Sequence, residues 1–146
     1  MTDHWQPNET STHQDHVIAH VLGATVLGYF VFDEALHILL DIGFVWTIYV
    51  DGQMMLLPQV VATGELETDA ETKSKLNREI EMVGHEGRLV EGLEHITPAP
   101  VECLITEVLF FEDGDRRRLI LCSEGANLVI ETSVETAEIQ VITDDH

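Results

Sequence analysis

The sequence predicts an α+β fold made mainly of antiparallel strands, and three observations predict it. Two blocks, residues 21–57 and 101–142, are dense in β-branched, aromatic and bulky aliphatic residues, which suit a pleated, half-buried surface. Each block holds an Asp-Gly pair between apolar runs, Asp51-Gly52 and Asp113-Gly114, the local signal of a tight hairpin. Between the blocks, residues 68–83 carry helical rather than alternating periodicity. The expected architecture is two antiparallel meanders with a helix between them, forming one curved sheet, a small barrel or a two-layer sandwich. Residues 1–11 are expected to be a mobile segment and 12–146 a single domain.

In chain order, residues 1–11 are polar, contain Pro7 and show no periodicity. Trp5 is the one residue there with a large surface to dock. Residues 12–22 read as a short helix: Thr12 can cap it, Asp15 follows three residues on, and Gly23 is placed to end it. Failing that, 17–22 would be the first strand. Residues 26–32 form a strand, Asp33-Glu34 a turn, and 35–40 a second strand with Leu36, Ile38 and Leu40 on one face. A helix over 33–40 also fits the leucine spacing, but eight residues between β-rich flanks favour strand. Asp41-Ile42-Gly43 turns into a strand over 44–50. Asp51-Gly52 favours a type I′ turn, and 54–57 returns until Pro58 stops it.

Thr68 and Glu71 form a T-x-x-E capping box for the helix over 68–83. Leu76, Ile80 and Val83 make a single apolar stripe, and Gly84 should end it. Residues 85–100 read as loops around a short strand at 88–90. Residues 101–111 are apolar on both faces and read as one strand covered on both sides. Further strands are expected at 119–122, 128–131 and 139–142. Tyr29, Phe30, Phe44, Trp46, Leu104, Val108 and Phe110 are the expected core.

Composition limits function more than it assigns it. Twenty-seven acidic residues against seven basic ones give a net charge of −20. Such a surface repels nucleic acid and anionic membranes and attracts basic partners. No basic start and apolar run mark a secretory signal, and the apolar stretch 21–32 is shorter than the roughly 20 residues a bilayer requires. Cys103 and Cys122 are out of register for a disulfide across the Asp113-Gly114 hairpin and read as core thiols of a reducing compartment. The expectation is a cytoplasmic, bacterial protein.

His13, His16 and His20 fall at i, i+3 and i+7 of the first helix, along one face. That spacing allows shared coordination of a divalent metal such as zinc. HVIAH has the histidine spacing of a zincin helix, but Val17 stands where its glutamate would be. The bland reading is a polar helix face. His37, among leucines, reads as a satisfied sheet histidine, whereas His85 and His95 lie in loops. Arg116-Arg117-Arg118 reads as a run paired with surrounding acids, or as an anion binder. Phosphate-loop, dinucleotide, nucleophile-elbow and C-x-x-C patterns do not occur.

These observations favour a non-enzymatic binding or assembly protein with no cofactor. The alternatives are a metal-binding protein or metal-dependent enzyme using the histidines, and an acidic inhibitor or immunity-type protein for a basic partner. One amphipathic helix cannot cover sheets that are apolar on both faces, so unless the two strand blocks pack face to face, a homodimer with an apolar centre is expected.

Overall fold

A computed structural model of the chain describes residues 5–86 and 91–145. The elements in order are β1 (Gln6–Pro7), α1 (Thr12–Val21), β2 (Thr25–Phe32), β3 (Ala35–Leu40), β4 (Phe44–Tyr49), β5 (Met54–Pro58), α2 (Gln59–Gly64) and α3 (Ala70–Glu86). They continue with β6 (Thr97–Leu104), β7 (Glu107–Asp113), β8 (Arg116–Cys122), β9 (Ala126–Ser133) and β10 (Glu138–Asp145). The strands form two five-stranded sheets, ordered β5-β4-β3-β2-β6 and β1-β7-β8-β9-β10. All pairings are antiparallel.

Of the expected arrangements, the sandwich is the one observed. A first core joins Leu36, Ile38, Trp46 and Ile48 of one sheet to Phe110, Leu119, Leu121 and Ile130 of the other. A second core lies on the far face of the first sheet, where Phe30, Leu39 and Val45 meet Ala62, Leu66, Leu76, Ile80 and Val83. The amphipathic stripe of α3 therefore covers a sheet face, as its single row of apolar residues requires. β3 lies at the centre of the first sheet and is buried at all six positions.

The turns differ from the simplest expectation. Asp33 and Glu34 both take positive φ, 52° and 57°, so the two-residue β2–β3 loop has the sign pattern of a type I′ turn. At Asp51-Gly52 only the glycine does, with φ 90°, and the loop is longer: Tyr49 and Gln53 still exchange a backbone bond. That glycine is required twice over, because a Cβ there would sit 2.7 Å from the Phe110 ring of the opposite sheet.

Other boundaries move. Ser11, not Thr12, caps α1, in a reciprocal capping box with Gln14. The α3 N-terminus is capped by Asp69, whose carboxylate accepts the Thr72 N–H at 2.7 Å; Thr68 is not the capping residue. That helix also runs through Gly84 to Glu86. The stretch after Pro58 contains α2, which the sequence reading treats as a connection. The strand expected at 88–90 lies outside the described residues.

The largest correction concerns 101–111. It is two strands in different sheets, β6 at the edge of the first and β7 in the second. At Ile105 the backbone leaves β6 by pairing with Ala24 and Gly23, through N–H···O contacts of 2.9 and 2.8 Å. Cys103 and Ile105 face the core, which turns Leu104 outward, 49% exposed. A central strand covered on both sides is thus not what its composition encodes. Trp46, Phe30 and Phe110 are buried as expected, whereas Tyr29, Phe44 and Val108 are half-buried.

Trp46 is fully buried between the sheets, its indole N–H without an acceptor among the described residues. Trp46→Ala should cost about 3–5 kcal/mol, with the orphaned N–H pulling the value toward the lower end. Urea melts measure it, and a loss below ~1 kcal/mol would contradict this packing.

Candidate functional site

α1 is built to stand against the free edge of the first sheet. Val17 and Val21 enter the first core. Gln14, buried on the same helix, donates its side-chain N–H to Gly52 O at 2.8 Å. On the residue before it, His13 Nε2 lies 2.9 Å from Met54 O. A carbonyl can only accept, so Nε2 is the donor in this contact. These two contacts fix the helix against β5.

The three histidines singled out in the sequence are brought together. Among the described residues, His13, His16 and His20 line one wall of a cleft of about 350 Å³, and Val17, Ile42, Phe44 and Leu56 line the rest. The helical spacing was sufficient to find the imidazole wall. The opposite wall was not legible, because Ile42 sits in a turn and Phe44 opens a strand some twenty-five residues later. Among the described residues, no three His, Cys, Asp or Glu side chains are placed to hold one metal ion.

His37 occupies a different place, on the face of the first sheet that meets α2. Its Nδ1 lies 2.9 Å from Thr47 Oγ1 and its Nε2 3.2 Å from Phe32 O, and the ring stacks on Phe30 at 4.8 Å. A small cavity beside it is lined also by Asp33, Tyr49, Ala62 and Glu65. Burial pushes the His37 pKa down, against smaller upward pulls from the Phe32 carbonyl and the Asp33 charge. Both ring nitrogens being engaged, this histidine ties strands together. His95 follows α3, where Glu79 accepts the His95 and Ile96 N–H groups at 2.9 and 3.2 Å.

The arginine run is divided by strand alternation. Arg116 and Arg118 point to the outer face of the second sheet, both contact Glu131, at 3.2 and 3.3 Å, and both stack on the Trp5 ring. Arg117 points the other way, beside Gly52, with Glu112 at 3.9 Å. Trp5 is followed by the Gln6–Pro7 pairing with β7 and by Asn8 N–H donating to Phe110 O, so the segment is laid onto that sheet from Trp5 onward. Cys103 and Cys122 are both free thiols, and burial pushes the pKa of each up.

The outer face of the second sheet carries a cross-strand row that runs Leu109, Ile120, Val129, Ile142. None of these joins either core. No helix of the described residues is long and apolar enough to cross a membrane. Comparison with family models, with curated proteins and with solved structures finds no match.

His37 makes stability depend on pH. The unfolded chain binds this proton as pH falls past the ordinary value of 6.5, while the folded chain resists it to lower pH. In that window the unfolded state holds more protons, so stability falls on acidification. Urea midpoints taken from about pH 7.5 to about pH 5 should drop less steeply in His37→Gln than in the parent chain. Parallel slopes would assign the dependence to other groups.

Proposed function

We propose that this chain is a non-catalytic assembly module that pairs with a second copy of itself through the outer face of its second sheet. The observation that supports it is the apolar row Leu109–Ile120–Val129–Ile142, extended by Phe111, on a face that no element of the described residues packs against as a layer. The two sheets cover one another and α2–α3 cover the first sheet, so the argument for a partner now rests on this one face. Two free thiols fit a reducing, cytoplasmic setting.

Magnitudes describe the contact. The four long strands β7–β10 at about 4.8 Å spacing and about seven residues at 3.4 Å rise give a planar footprint of roughly 14 by 24 Å. That is smaller than the roughly 800 Å² per partner of a standard interface, so the association is of the weak, reversible class. The central rows balance Arg118 against Glu131, and their net charge is zero. The rest of each chain, at −20, opposes approach, and salt weakens that opposition.

Sedimentation at low and high salt should show a dimer that strengthens with salt, with Ile120→Glu monomeric in both. A parent chain that stays monomeric at ~100 µM in both conditions overturns the proposal. So does binding of basic proteins that weakens with salt while the chain itself remains single, the behaviour of an acidic inhibitor.

A further inference from the structure

We infer that the cleft between α1 and the β4–β5 edge is a binding site for a small amphipathic monoanion. Its carboxylate-type head would lie on the imidazole wall and its apolar body against Ile42, Phe44 and Leu56. The inference is independent of the self-association proposed above, which uses the opposite sheet.

The wall chemistry carries it. Every neutral imidazole offers one N–H donor, and a carboxylate offers only acceptors. His13 spends its Nε2 proton on Met54 O. The head therefore addresses His16 and His20, which stand one helical turn apart with roughly 5–6 Å between their Cβ atoms. Val17, Ile42, Phe44 and Leu56 have no polar side-chain atom to offer, so the remaining wall matches hydrocarbon or an aromatic ring.

Charge points the same way. Acidic residues number 27 in 146, yet among the described residues none lines this cleft. The two carboxylates nearest in sequence are occupied elsewhere: Asp15 accepts the Thr10 hydroxyl, and Asp41 accepts the Thr25 N–H at 2.9 Å. A cation would find imidazoles without a carboxylate to neutralise it, and no three ligating groups converge among the described residues. Size bounds the ligand. At a liquid-water share of about 30 Å³ per heavy atom, 350 Å³ accommodates about a dozen. It also falls at the small end of ligand pockets.

The test is calorimetric titration of the full chain with 4-phenylbutyrate, with its neutral amide, and with zinc chloride. The acid should bind one per chain and at least about tenfold more tightly than the amide, a difference of one decade in Kd. His16→Gln with His20→Gln should remove that preference. Ile42→Glu, at an exposed position, should abolish acid binding by placing a like charge at the rim, and guards against a double variant that fails to fold. Equal binding of acid and amide, or no saturation by ~10 mM acid, overturns the inference. Zinc bound one per chain, without any preference for acid over amide, overturns it too and gives the wall to a metal.

Discussion

The constraint on which the rest of the structure depends is the complete burial of β3. A strand apolar on both faces must be covered on both, and in this chain the two covers have different origins. One is the second sheet, brought over by the strands after residue 105. The other is the α2–α3 layer, inserted between the two strand blocks. Leu36 and Ile38 belong to the first core, and Leu39 to the second, so the alternation of one six-residue strand divides the molecule into its layers. His37 sits on the α2–α3 side and could not be buried there without partners; Thr47 from the neighbouring strand and the Phe32 carbonyl supply them.

The second consequence of layering is what it leaves bare. In a β-β-α stack of this kind the outermost sheet has one face against which, among the described residues, no layer packs. Here that face carries apolar side chains at its middle and charged pairs around them, with Trp5 laid across the arginines. The cleft on α1 arises from the same geometry at a different place. The sandwich is open beside β5, and α1 fills the gap with Val17 and Val21 while its histidine face turns toward the strand edge.

Much of the fold was legible because its signals are local. Strand composition, the α3 stripe and the Asp-Gly turns act within a few residues, and the elements appear where those signals lie. The failures are places where a distant contact decided. Leu104 reads as core within a largely apolar stretch, but the pairing of Ile105 with Ala24, some eighty residues earlier, leaves Cys103 and Ile105 facing inward and Leu104 outward. Asp33-Glu34 takes a type I′ conformation in which the second position ordinarily belongs to glycine, because the paired residues on either side close a two-residue loop. The candidate site divides the same way. His13, His16 and His20 share a face by helical period alone, whereas Phe44 and Leu56 join them only through the pairing of β4 with β5.

Gly52 shows how closely these parts are coupled. Its carbonyl receives the Gln14 side chain from α1, and its α-carbon lies against Phe110 of the second sheet. Two residues earlier, the Val50 carbonyl receives the Thr132 hydroxyl at 2.7 Å. A hairpin tip is ordinarily the first part of a sheet to fray, since its backbone bonds face water and few neighbours hold it. This one is clasped by a helix and by the opposite sheet, so opening it means parting the sandwich. The buried Gly52 N–H, bonded to Tyr49 O at 2.9 Å, is accordingly expected to exchange only when the sheets part, whereas Asp51 and Gln53 on either side of it are exposed.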